Sequence, residues 1–369
     1  MLQIVEQQTA RCCTQRRAGV IVVKELMLLA VCLVSLFGLG TRSVNWMAFE
    51  GDHQDSRTRL ARAASPRYVS RITTNQDGTK LWISRPLHSI VAVNRETGET
   101  DQGLMTDCRR LSRAAHSLNN STSLLVWMDG TAELYPQGIG GEPVQSPVLN
   151  CGDSFDIAAD VSADGAVALF VLRKGLVYGW FIGESGVEEF AYSLPTSSDL
   201  ARACLNREGS RLFVAREDGT AGIHDVLTGA GQEFKLTLRA PCTSAVWSAD
   251  GRSILVATKD GCVSLIDAVT GATQWERALA IEHIGLSYWA DSIAISRDGK
   301  HVAAASSHSK TFDVWDLDSD QPPYPLAGHE GVIRSLEFGH DNQTLYSGSL
   351  DGTVREWSLA SYSQRRIID

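Results

Sequence analysis

Nine histidines and eight cysteines are the side chains of this 369-residue chain with the greatest reach for metal or nucleophilic chemistry. Zinc sites require ligands at short, characteristic spacings. His116, His283, His308 and His340 fall in or near expected loops without such spacing, so solvent-exposed or capping imidazoles are expected there. Cys12, Cys13 and Cys32 sit near the N-terminus, and Cys108, Cys151, Cys204, Cys242 and Cys262 are scattered beyond it. No pair has zinc or redox spacing. Buried free thiols are the expectation, with a Cys108 to Cys151 bridge as the alternative, because both precede the first strand of adjacent repeats. The Asp-Gly pairs have a partial likeness to calcium loops, yet their position between short apolar runs explains them as hairpin turns. No glycine-rich phosphate loop opens a helix. The reading therefore predicts no catalytic residue, no cofactor and no metal.

Those Asp-Gly pairs belong to a larger pattern. Turn-forming pairs begin at Asp77, Asn119, Asp164, Glu208, Asp250, Asp298 and Asp341, and ten positions on from each lie Leu87, Asp129, Lys174, Asp218, Asp260, His308 and Asp351. Between the two turns run short segments rich in branched and aromatic residues, such as SILVAT at 253–258, RLFVA at 211–215 and LYSGS at 345–349. They read as hairpin strands, continued by Cys262 to Ile266 and Thr353 to Trp357. Another strand precedes each first turn, as in TSAVWS at 243–248 and DSIAIS at 291–296. A fourth follows the Thr-Gly turns at Thr97, Thr228 and Thr270. Four antiparallel strands in each of seven repeats predict an all-β, seven-bladed β-propeller, preceded by an N-terminal hydrophobic helix. The expected blades span about 67–105, 106–148, 149–193, 194–238, 239–282, 283–326 and 327–369.

The last repeat, GHEGVIRSLEFGHDNQTLYSGSLDGTVREW at 328–357, closely resembles the WD-repeat family, and the likeness extends in weaker form from about residue 67 to the end. Gly328 and His329 open the repeat as that family's repeats open. The resemblance implies that His329, Ser347, Asp351 and Trp357 form a structural hydrogen-bonded tetrad linking the strands of blade seven. Such a network suits buried carboxylate and imidazole groups, which are costly to leave without partners. The tryptophan slot, six residues after each second turn, reads Val93, Tyr135, Trp180, His224, Ile266, Val314 and Trp357. Trp315 lies one position beyond its slot and forms the only Trp-Asp pair, with Asp316. Most blades must therefore rely on apolar packing between faces, and His224 is expected to be packed or half-exposed. For the closing strand of blade seven, RRIID at 365–369 is favoured over VNWMAF at 44–49.

The chain has 34 basic and 43 acidic residues, for a net charge of -9. Residues 1–66 hold 8 basic and 5 acidic residues, leaving 26 against 38, or -12, for the repeats. That balance argues against a phosphate-backbone partner, and no nucleic acid is expected. Arg109, Arg110 and Arg113 form the most basic local run and read as a solvated face. Upstream, residues 26–40 (LMLLAVCLVSLFGLG) are uncharged, and the apolar stretch extends back to Ala18 except for Lys24 and Glu25. Residues 1–40 are read as a leader, either a signal sequence or a membrane anchor through 18–40. A leader shortened by a later translation start is a further alternative. Residues 41–66 are read as a flexible polar linker. The expectation is a membrane-anchored protein with its propeller outside the cytoplasm, against secreted or cytoplasm-facing alternatives.

Function then rests on the face onto which the second turns open, which in the WD-repeat family commonly binds peptides or protein loops. Seven residues before each first turn stand Ser70, Ser112, Ile157, Ala201, Thr243, Asp291 and Arg334. His283, Tyr288, Trp289, Asp291 and Arg334 gather aromatic and cationic character at this edge, as interaction hot spots do. A connection-closing role for Trp289 is the alternative. The expected role is a non-enzymatic scaffold for protein partners; the competing readings are a secreted enzyme or ligand-binding propeller that uses its central channel, and an intracellular regulatory propeller.

Overall fold

The computed structural model describes residues 68–85, 89–105, 111–146, 156–195, 198–234, 238, 240–279 and 290–368. The apolar run at 18–40, the linker at 41–66 and the strand alternative at 44–49 lie outside them, as do Cys108 and Cys151. Among the described residues no helix is long and apolar enough to cross a membrane. Cys204 and Cys242 are buried free thiols, and Cys262 is a half-buried one.

Each repeat folds as one four-stranded antiparallel meander, giving seven separate sheets. Turn chemistry explains why the chain reverses where it does. The second residue of every first turn, Gly78, Asn120, Gly165, Gly209, Gly251, Gly299 or Asn342, has positive φ. Glycine adopts this region freely, and asparagine is the residue that best replaces it there. The Asp250 carboxylate is occupied by its own turn, accepting from Ser248 Oγ at 2.6 Å and Arg252 N at 3.0 Å.

In sequence order the inner strands are β1 (Arg71–Thr74), β5 (Leu111–His116), β9 (Asp156–Val161), β13 (Leu200–Leu205), β17 (Cys242–Trp247), β21 (Ala290–Ile295) and β25 (Ile333–Phe338). Each packs against its neighbour, and β1 meets both β5 and β25, so the inner strands close a ring. The second strand of each blade carries most of the core. β18 (Ser253–Thr258) is buried at every position, sending Ile254 and Val256 towards blade four and Leu255 and Ala257 towards blade six. A strand covered on both faces reads as a continuous apolar run, which is how SILVAT reads. Seven apolar clusters result, one at each junction between neighbouring blades.

Among the described residues, the junction of blades seven and one closes without an exchanged strand. β28 (Ser363–Ile368) pairs with β27 (Val354–Ser358) as the outer strand of blade seven. Blade one then docks by its face: Val69, Ile72, Leu81, Ile83 and Val93 pack on Tyr346, Val354 and Ile368. Val69 N donates to Ser349 O at 3.0 Å, and Ile72 N to Ser335 Oγ at 3.0 Å. Above this seam the Glu356 carboxylate, 5% exposed, receives Arg366 Nε at 2.9 Å, Arg95 Nη2 at 3.4 Å and Arg365 Nη1 at 3.5 Å. Gly348 marks how close the blades come, because a Cβ there would lie 2.5 Å from Val69 Cγ1 and 2.9 Å from Ile72 Cδ1. Gly348→Ala is therefore expected to destabilise the propeller by about 1–3 kcal/mol through overpacking. A urea-unfolding midpoint unchanged from that of the parent chain would show that this seam is looser than described.

Candidate functional site

Blade seven brings His329, Ser347, Asp351 and Trp357 together. His329 Nδ1 lies 2.8 Å from Asp351 Oδ2 and its Nε2 lies 2.7 Å from Ser347 Oγ, which also accepts Trp357 Nε1–H at 2.7 Å. Only one protonation pattern satisfies every group. His329 carries its proton on Nδ1 and donates it to the carboxylate, while Ser347 donates to Nε2. The Asp351 carboxylate also accepts from Glu330 N at 2.9 Å, Thr353 N at 2.9 Å and Thr353 Oγ1 at 2.7 Å. Burial opposes its ionisation, but the bonds from Thr353, His329 and Glu330 outweigh this and hold its pKa well below the usual carboxylate range. For His329 burial lowers the pKa against the pull of Asp351, which favours the neutral ring the network needs. The arrangement fastens the loop at Glu330 to the second and third strands of blade seven.

The tryptophan slot is a packing position whatever residue fills it. Val93, Tyr135, Trp180, His224, Ile266, Val314 and Trp357 are all 6% exposed or less. His224 is packed, not half-exposed, against the space left by Gly231. Trp180 keeps the indole but has no hydrogen-bond partner for Nε1 among the described residues. Trp315, one position out of register, packs edge-on against Trp275 with centroids 5.8 Å apart. His116 corrects the expectation of a solvent-exposed or capping histidine. It is 8% exposed, stacks on Trp82 at 4.3 Å and bonds Ser123 Oγ through Nδ1 at 2.9 Å; burial, helped by the Arg71 charge, pushes its pKa down to about 3. It lies at the end of a strand rather than in the loop, and the neighbouring indole face covers it. His308 and His340 are exposed.

Of the face residues, Arg334 is exposed on β25, and Asp291 lies in β21. His283, Tyr288 and Trp289 lie outside the described residues. The position seven residues before the first turn has a local geometry of its own. In six blades the strand register skips it, at Ser112, Ile157, Ala201, Thr243, Asp291 and Arg334. A β-bulge there adds twist and re-aims the residues beside it. The following position is where Arg71, Arg113, Arg202, Ser244, Ser292 and Ser335 line a cavity of about 540 Å³. Arg113 thus borders the channel rather than a solvated face, while Arg109 and Arg110 lie outside the described residues. Sequence reasoning missed this ring by one residue. Its signal was arginine six residues before the first turn in three repeats, at Arg71, Arg113 and Arg202.

Deeper in the same cavity stands Glu337, which accepts Thr74 Oγ1–H at 3.3 Å. Burial pushes its pKa up to about 7 despite the opposing charges of Arg71 and Arg297. A carboxyl whose pKa rises on folding stabilises the native state fully below about 4.5 and loses that contribution as pH rises through about 7. Glu337→Gln is therefore expected to gain about 1–2 kcal/mol relative to the parent between pH 5 and pH 8 in urea unfolding. A difference independent of pH would contradict the raised pKa. Ser347→Ala strands both Trp357 Nε1 and His329 Nε2 and is expected to cost about 2–4 kcal/mol at pH 7. An unchanged thermal midpoint would show that the tetrad is dispensable.

Residues 320–358 match the WD domain, G-beta repeat family. A periodic tryptophan protein 2 homologue of Schizosaccharomyces pombe is 41% identical over 71 residues, which cover 19% of this chain and 8% of that protein. MST50-interacting protein 11 of Pyricularia oryzae is 30% identical over 87 residues, covering 22% of this chain and 28% of that protein. The match thus spans well under half the length of these curated relatives. Among solved structures, the β-propeller domain of Myceliophteria thermophila Cps50 (Swd1) superposes with a TM-score of 0.67, covering 79% of this chain and 96% of that one at 16% identity, a likeness of fold alone. With the tetrad in place and seven four-stranded sheets in a ring, the chain is a seven-bladed β-propeller whose last blade matches the WD domain, G-beta repeat family and holds the hydrogen-bonded tetrad of His329, Ser347, Asp351 and Trp357.

Proposed function

We propose that this propeller is a non-enzymatic docking platform for protein partners, held at a membrane through residues 18–40 with the propeller outside the cytoplasm. The observation that carries the reading is Arg334. It is an exposed cation set in a β-bulge at the rim of the channel, directly ahead of Ser335, whose hydroxyl accepts Ile72 N from blade one. A fixed inner strand spares the backbone from being ordered on binding, and arginine is among the residues enriched at hot spots. The name of the Pyricularia oryzae relative describes a protein that interacts with another, in keeping with a platform role.

Trp289 and Tyr288 would supply the aromatic part of the docking surface, with His283 and Asp291 at its edge. The propeller's acidic balance suits partners with a basic rim, since complementary charge speeds encounter. The tether follows from the uncharged run at 26–40, and the arginines of the linker suit anionic headgroups.

The test is affinity capture from detergent-solubilised membranes with the parent chain and an Arg334→Glu, Trp289→Ala double variant. The expected result is one or more specific partners recovered in the parent and reduced at least about tenfold in the variant. Identical partners from both proteins would remove the proposed surface, and recovery of the parent chain in the soluble fraction would remove the tether.

A further inference from the structure

The outer edge of blade three is built unlike those of the other blades. An outermost strand leaves a row of backbone N–H and C=O groups open to pairing with another chain, and native sheets blunt such edges with short strands, proline or bulges. Six blades do so. β4 (Thr100–Met105), β20 (Thr273–Ala278) and β28 are bulged where the partner strand skips Asp101, Gln274 and Arg365. β8 (Val144–Gln145) has two residues, β16 (Gly231–Phe234) has four, and the four of β24 (Tyr324–Ala327) include Pro325. β12 (Gly186–Ser193) has none of these devices. It runs for eight residues in unbroken register with β11 (Leu176–Gly183) and contains no proline, lysine or arginine.

The pairing sets which backbone groups stay open. Ile182 N donates to Ala166 O at 2.8 Å, on the inner side of β11, and Leu194 N donates to Gly175 O at 2.9 Å. Alternation then turns Glu188, Phe190 and Tyr192 towards Phe181, Gly179 and Val177 of β11, and turns the N–H and C=O groups of Val187, Glu189, Ala191 and Ser193 outward. These outward groups have no partner among the described residues. Charge selects the occupant. Glu184, Glu188 and Glu189 are exposed along this hairpin, and residues 175–201 include no lysine or arginine. Glu189 accepts Tyr178 Oη–H at 2.6 Å, while Glu184 and Glu188 have no ionic partner among the described residues. A second copy added edge to edge would bring like carboxylates onto facing strands, which is destabilising. A basic segment would instead set lysine or arginine beside Glu188 on one face of the sheet and beside Glu189 on the other, because successive side chains alternate. Val187, Phe190 and Tyr192 are half-buried and offer apolar contact between the charges.

We propose that β12 takes up an extended basic peptide segment of a partner protein as a fifth strand of blade three, held by the outward backbone groups of Val187, Glu189, Ala191 and Ser193 and by the carboxylates of Glu184 and Glu188. In strand addition the main-chain bonds supply affinity and the side chains beside them supply specificity. The edge lies at the opposite end of its sheet from the inner strand β9, so the inference does not rest on the surface around Arg334.

The experiment titrates the full chain into a fluorescently labelled, amide-capped peptide of alternating lysine and valine and follows the anisotropy. Two control peptides separate the contributions: one carries N-methyl groups on alternate residues, which removes backbone donors and keeps the charge, and the other has glutamate in place of lysine. Saturable binding with a Kd on the order of 10–100 μM is expected for the parent peptide, at least about tenfold tighter than either control. Hydrogen–deuterium exchange is expected to slow at residues 186–193 when the peptide is bound. Ala191→Pro removes an N–H that faces away from β11, so the native ladder keeps its bonds while peptide affinity falls at least about tenfold. Should that variant not fold, as near-ultraviolet circular dichroism reports, Glu188→Lys provides the comparison and is expected to weaken binding at least about threefold at low salt. No saturable binding below about millimolar, equal affinity for the N-methylated peptide, or protection confined to other segments would overturn the proposal. So would a dimer of the peptide-free chain that Ala191→Pro dissociates in sedimentation velocity, since this would assign the edge to a second copy.

Discussion

The whole architecture depends on the packing of blade one against blade seven. Six of the seven junctions join blades that are consecutive in the chain, so covalent connection keeps those faces close. The seventh joins β1 and its neighbours to β25–β28, some 260 residues away in sequence, and is held by apolar contact, a few hydrogen bonds and the Glu356 cluster. Bringing such distant faces together costs loop-closure entropy that only long-range contacts offset. The close approach at Gly348 and the burial of Ile72, Ile83 and Tyr346 show how that offset is reached: the faces meet without a gap. Glu356 adds orientation more than stability, because a buried carboxylate surrounded by guanidiniums regains in pairing much of what it loses in hydration.

Closure also explains why the polar tetrad is concentrated in the last blade. His329, Ser347, Asp351 and Trp357 tie together the second and third strands of the sheet whose other face must receive blade one. In four of the other blades the slot is filled by Val93, Tyr135, Ile266 or Val314, and packing against the neighbouring blade does the same work. An incomplete polar network would be worse than none. Trp180 comes nearest to that case, with its indole buried and Nε1 without a partner among the described residues, and it is compensated by Phe170 and Tyr178 packed around its ring.

Much of this was legible in the sequence, because turn residues at a fixed offset mark both ends of each hairpin. SILVAT, RLFVA and the segments beside them lie within one residue of the observed strands. The tetrad residues were also legible, since their spacing survives in GHEGVIRS and SGSLDGTVREW. The channel wall was not. A bulge leaves no mark on the local residue pattern; it exists only in how Arg334 or Thr243 is skipped by the partner strand. The count to the channel therefore fell one residue short, on Ser112 and Ala201 instead of Arg113 and Arg202. His116 was misplaced for a related reason, as its cover comes from Trp82 in the preceding blade.

The central claim, that residues from blade one to the C-terminal strand close the ring by themselves, is tested most directly by equilibrium urea unfolding of residues 67–369. Tryptophan fluorescence and far-ultraviolet circular dichroism would be followed together. The account predicts one cooperative transition, coincident by both probes and with the midpoint of the full chain. Separate transitions, or a fragment without native fluorescence, would contradict it by showing that a segment before residue 67 is needed to complete the ring.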